Sequence, residues 1–131
     1  MIENLREEAF ILNNEQRNAV LSGIVFACKK YEWRLYAAHV RSNHVHLVLK
    51  TEADPDRAMI QIKAYGTRFL KKNNLQKNGL KYWARGGSIK FIWAPEYLYP
   101  AMHYVIEEQG ERMSCYYEAW YEKYSETYCV H

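Results

Sequence analysis

The chain has 131 residues, 49% of them hydrophobic and 25% charged, with a formal net charge of +3. That length and balance suit one folded domain with its own core, and exclude a disordered or fibrous chain. No apolar run approaches the roughly 20 residues that a membrane helix needs and no charged-then-apolar leader is present, so the expectation is a cytoplasmic protein without a membrane partner. Cys28, Cys115 and Cys129 lack C-x-x-C spacing and read as reduced thiols, in keeping with that compartment.

Asn13 and Asn14 followed by Gln16 predict a helix start. Val20, Leu21, Ile24, Val25 and Cys28 recur at helical spacing and carry this helix to about Tyr31. Trp33 to Val40 reads as a strand, Arg41-Ser42-Asn43 as a polar turn, and His44 to Leu49 as the second strand of a hairpin. Asp54-Pro55 opens a second helix, with Asp as the N-cap and Pro in the first turn. Met59, Ile62, Gly66, Phe69 and Leu70 extend it to about Asn73.

A loop holding Gly79, Gly86 and Gly87 follows, then a short strand from Ile89 to Trp93. Pro95 and Pro100 bracket a turn. Pro100 fits the first turn of a third helix, where its missing N–H would have no partner anyway. That helix should run to about Glu108, with Gly110 suited to its C-terminal cap. From about residue 111, and clearly from Cys115 to Tyr128, mixed aromatics and acids predict a helical tail. No repeat or linker divides residues 1–131. Helices alternating with hairpin strands predict an α+β fold, an antiparallel sheet with helices packed on one face.

Charge is unevenly spread. From Lys63 to Arg85 the chain holds seven Lys or Arg and no Asp or Glu. A segment of one sign suggests a stripe that faces a polyanion, against the plainer reading of a solvated helix and loop.

The stretch R-S-N-H-V-H-L-V-L-K, Arg41 to Lys50, sets two histidines two residues apart in an apolar run. Strand side chains alternate, so His44, His46 and Val48 share one face while Val45, Leu47 and Leu49 share the other. The Val/Leu/Leu side is the natural core face, which sends both imidazoles the other way together. Neutral imidazoles so placed can converge on one metal ion. They can equally be two half-exposed strand histidines, and His39 is a competing third donor. In the third helix Met102, Val105 and Ile106 form the apolar stripe. Tyr104 sits off that stripe, and Glu108 lies one turn further along the same face.

N-H-V-H-L-V-L after a hairpin turn, W-A-R-G-G at Trp83 to Gly87, and an aliphatic helix with Y-V-I together resemble the HUH single-tyrosine transposases. These include the REP-associated tyrosine transposases and the IS200-like insertion-sequence transposases. The likeness runs from about Phe10 to Gly110. It implies a ferredoxin-like (RRM-like) HUH fold in which a first strand sits mid-sheet. The strand-like stretch before Asn13 is only Ala9 to Leu12, so the expectation includes a sheet short of that strand, or one filled by the tail or a neighbouring chain.

The resemblance also implies an activity. His44 and His46 would hold Mg²⁺ or Mn²⁺ with a third ligand, Glu108 or Gln109. Tyr104 would attack a DNA phosphate, leaving a 5′-phosphotyrosine link and a free 3′-OH. Glu107-Glu108-Gln109 stands where the family commonly has an asparagine-proline pair. A phenol titrates near ~10, so it needs a base or cation to become a good nucleophile. The implied protein is a metal-dependent transposase or nickase acting as a homodimer on single-stranded or hairpin DNA. Arg57, Lys63, Arg68, Lys71, Lys72 and Arg85 would follow the phosphate backbone. The alternatives are a domesticated relative that binds hairpin or single-stranded DNA without cutting it, and an RNA-binding α+β domain whose H-x-H is incidental.

Overall fold

The computed structural model describes residues 11–75 and 97–128. Helix α1 spans Asn14–Lys30 and starts at a reciprocal cap. The Gln16 N–H donates to Asn13 Oδ1 at 2.9 Å, and the Asn13 N–H donates to Gln16 Oε1 at 2.8 Å. Two backbone donors with no partner inside the helix are thereby satisfied. Glu32, at a φ of 59°, then turns the chain into β1, Arg34–Val40. Strand β2, Val45–Lys50, returns antiparallel, with Val40 opposite Val45 and His39 opposite His46. Helix α2, Pro55–Lys72, begins where the Asp54 carboxylate accepts from the N–H groups of Asp56 and Arg57.

One face of this hairpin carries the larger core. Leu35, Ala38, Val40, Val45, Leu47 and Leu49 meet Val20, Ile24 and Cys28 of α1 and Ala58, Ile62 and Leu70 of α2. The two helices touch at Gly23, where a Cβ would lie 2.5 Å from the Tyr65 carbonyl oxygen. Any other residue there would push them apart. Burial lifts the Cys28 thiol to about 12, which makes it a packing group and no nucleophile. A bulge between Leu35 and Ala37 lets Tyr36 and Ala37 both turn to the opposite face while Leu35 and Ala38 stay in the core.

Helix α3, Leu98–Glu107, covers that opposite face, with Pro100 in its first turn as expected. Its stripe of Met102, Val105 and Ile106 is fully buried against Ala37 and Val48. The expectation of helices on one face therefore holds for α1 and α2, and α3 adds a layer on the other. The reason is local: Ala37 and Val48 make the histidine side of the hairpin apolar enough to seat a helix.

The tail differs from the expected helix. Ser114–Tyr117 is a strand, β3, and the helix, α4, starts only at Ala119 and runs to Tyr128. β3 pairs antiparallel with β1, Val40 opposite Ser114 through Ala37 opposite Tyr117, giving the sheet order β2-β1-β3. Tyr116 joins the α1 side and Cys115 and Tyr117 join the α3 side, the period-two pattern of a strand. The edge of β1 offers backbone partners that a helix could not use, and a run as short as S-C-Y-Y follows them.

The result is an open, three-stranded antiparallel α+β fold, consistent with a ferredoxin-like sheet that lacks a strand. The outer edge of β2 has no strand partner among the described residues. The expected loop at Gly79, Gly86 and Gly87 and the strand from Ile89 to Trp93 lie outside the described residues, as does Arg85. Among those described, no helix is long and apolar enough to cross a membrane.

Candidate active site

Three rings stand in a row between the hairpin and α3. His44 lies just before β2 and His46 within it, their ring centroids 6.3 Å apart at an interplanar angle of 20°. The Tyr104 ring meets His46 edge-on, 6.5 Å away at 86°. Strand alternation aims both imidazoles at the α3 side, and α3 packs through its stripe so that Tyr104 falls on its flank. The half-exposed alternative does not describe His46. It is 7% exposed because α3 lies over it, whereas Tyr104 is 39% exposed and reachable from solvent.

His44 is oriented by its neighbour. Its Nδ1 lies 2.7 Å from Asn43 Oδ1, an acceptor, so Nδ1 is the donor of this contact and Nε2 is the ring nitrogen left outside it. Metal-binding histidines are commonly oriented in this way, by a hydrogen bond to the ring nitrogen that does not coordinate. The donor chemistry of His44 and His46 therefore fits a divalent cation. Among the described residues no group of three His, Cys, Asp or Glu side chains converges on one point. Glu108, the C-cap residue of α3, has its carboxylate 2.8 Å from His103 Nδ1. Gln109 donates through Nε2 to the Tyr104 carbonyl at 3.1 Å. Both side chains are thus engaged at the C-terminal turn of α3.

His39, the competing third donor, has another task. It is fully buried directly across from His46. Its Nδ1–H donates to the Val105 carbonyl at 2.9 Å, and its Nε2 accepts the Met113 N–H at 2.9 Å. Val105 is in the last turn of α3, where carbonyls lack partners within the helix. Burial, foremost, holds the His39 ring below the ordinary imidazole range, so it stays neutral as this double role requires. With both nitrogens committed to backbone, His39 joins α3 to the sheet.

Sequence reasoning missed the polar cluster at the same end of α3. Glu107 accepts from Arg112 and from the Tyr121 hydroxyl, and the neighbouring guanidinium holds its carboxyl below the usual range. Nothing in the pattern around Arg112 marks it. The Asn43–His44 contact, between adjacent residues, was open to such reasoning.

The basic residues are elsewhere. Arg57, Arg68, Lys71 and Lys72 are exposed on α2 and Lys63 is half-buried there. Because α2 packs on the large-core face, they and the row of rings lie on opposite sides of the sheet. Arg68 lies over the Tyr65 ring at 4.5 Å and Lys72 over Phe69 at 5.6 Å.

A family model described as "Transposase IS200 like" matches residues 2–109. The chain belongs to the IS200-like transposase family. No curated protein and no solved structure matches it. Membership gives the protein a function of the transposase type, with DNA as its partner. Members of the IS200-like family generally depend on a divalent metal. The match takes in α1, the hairpin, α2 and α3, and it ends before β3 and α4.

Proposed function

We propose that this family member cuts and rejoins single-stranded DNA at the row His44, His46 and Tyr104. The observation that carries the reading is the contact between Tyr104 and His46: a phenol reachable from solvent, held against one of two aligned imidazoles. In this reading Tyr104 Oη attacks a backbone phosphorus. The Oη–P bond forms as the bond from phosphorus to the 3′-oxygen breaks. The phenol gives up its proton, and the departing strand leaves as a free 3′-OH. Rejoining is the reverse, with a 3′-OH displacing Tyr104, so the energy stays in the phosphotyrosine and no nucleotide is consumed.

His44 through Nε2, His46, and Glu108 or Gln109 would hold Mg²⁺ or Mn²⁺. The ion would act as a Lewis acid on the phosphate oxygens. Glu108 joins such a set by exchanging His103 for the ion. From the other side of the sheet, Arg57, Lys63, Arg68, Lys71 and Lys72 would hold DNA flanking the cut strand through phosphate contacts, the sequence-independent part of the affinity. The reading includes single-stranded or hairpin DNA as the target and a homodimer as the working unit.

The test is a covalent adduct. Incubated with a pool of random-sequence single-stranded oligonucleotides and Mn²⁺, the protein should gain DNA mass on one tryptic peptide, the one holding Tyr104. Tyr104→Phe should abolish the adduct and leave DNA binding intact. Binding without any adduct in wild type would replace this reading with that of a non-cleaving DNA-binding relative.

A further inference from the structure

The family match stops at residue 109, yet the chain goes on to build a strand and a helix that grip the tyrosine helix. Arg112 is the centre of that grip. Its Nε donates to Glu107 Oε1 at 3.3 Å and its Nη2 to Glu107 Oε2, while Nη1 reaches Tyr117 Oη at 3.2 Å and Glu122 Oε1 at 3.5 Å. Glu107 also accepts from Tyr121 Oη at 3.2 Å. It is the last residue of α3, three positions after Tyr104 and so its neighbour on the helix surface. Tyr121 is fully buried among Ala37, Val48 and the α3 stripe.

The other end of the grip is fixed to the sheet. β3 is paired along β1, Ser114 Oγ donates to Asn18 Oδ1 of α1 at 2.6 Å, and Arg34 pairs with Glu118 through two contacts of 2.9 Å. Just before β3, the Met113 N–H is bonded to His39, which also holds the Val105 carbonyl. A ten-residue helix has little stability of its own, so its position is set by what holds it. To swing towards a second copy of the chain, α3 would have to give up Arg112, Tyr121 and His39 together and expose Met102, Val105 and Ile106.

We propose that residues 111–122 are a built-in staple that fixes the tyrosine helix on its own sheet, with Arg112 as the positioning residue, so that Tyr104 serves the histidines of its own chain. The role of Tyr104 rests on the function proposed above; the staple does not.

The test uses the full chain and two readouts. In the first, Arg112→Gln raises amide hydrogen exchange over residues 104–107 about tenfold, the size expected when a charge-assisted bond at a helix end is lost. Exchange in α1 stays as in wild type. The nuclear Overhauser contact between the Tyr104 and His46 rings weakens with it, and Arg112→Lys, which keeps the charge beside Glu107 but not the fork, recovers part of both, which a general loss of stability would not do. Unchanged exchange and an unchanged ring contact in Arg112→Gln would overturn the staple. In the second, His46→Ala and Tyr104→Phe chains are co-expressed and given the oligonucleotide pool with Mn²⁺. Tyrosine helices held on their own sheets give no adduct from the mixture. An adduct from the mixture would overturn action within one chain. If wild type forms no adduct while the ring contact and its dependence on Arg112 hold, the staple stands and the nucleophile reading falls.

Discussion

Against one face of the sheet, Leu35, Ala38, Val40, Val45, Leu47 and Leu49 meet α1 and α2 through contacts that are almost all carbon. Against the other, α3 packs on Ala37 and Val48 of the sheet and on Tyr121 of the tail, with two histidines and the Glu107–Arg112 cluster beside it. The first face buries enough apolar surface to set the stability of the domain. The second is smaller, and it places its helix by directed bonds. His39 and His46, paired across the two strands, show how far surroundings decide a residue's role. One spends both nitrogens on backbone groups, and the other lies against Tyr104.

Mutations can separate the two faces. The largest loss of stability should come from Ile62→Ala, which empties a fully buried site between α2 and the sheet. It should cost about 2–5 kcal/mol in urea unfolding. The protein that remains folded should keep its Tyr104–His46 contact. An equal loss of that contact would mean that the faces are not independent.

His39→Ala should cost less, about 1–3 kcal/mol, because of its two backbone partners only the Val105 carbonyl is bonded in the interior, while the Met113 N–H is within reach of water. Unlike Ile62→Ala it should also loosen α3, seen as faster exchange at residues 104–107. The same histidine predicts a pH effect. Its folded-state pKa is lowered by burial first, with the Val105 hydrogen bond opposing, then by Arg41 and Arg112, with Glu107 opposing least. The unfolded chain therefore takes up the proton first as pH falls. The stability is fully present above the unfolded value of about 6.5 and drains away as pH drops through the folded one. Urea midpoints across that range should fall in wild type and flatten in His39→Gln.

The smallest effect belongs to Asn13→Ala at the start of α1, about 1 kcal/mol from the lost cap. It should leave both exchange in α3 and the ring contact untouched.

Much of the first face was legible in the sequence. Asn13 with Gln16, Asp54 with Pro55, and the alternation of Val45, Leu47 and Leu49 act over three or four residues, and each stands where local chemistry put it. The direction of His44 and His46 followed from the same alternation. The depth of His46 did not, because it depends on α3, more than fifty residues further along the chain. S-C-Y-Y reads poorly for the same reason. Four residues with aromatics fit a strand or a helix, and the free edge of β1 makes the choice. The bonds of His39 to Val105 and Met113 join positions 66 and 74 residues away, beyond any local pattern.

Whether the histidine pair holds a metal is read most directly by a calorimetric titration of Mn²⁺ into the folded protein beside His46→Ala, each with and without a single-stranded oligonucleotide. Wild type should bind near one ion per chain, and the variant should lose that binding. Equal binding by His46→Ala, or none by wild type with DNA present, would contradict a metal site at the pair.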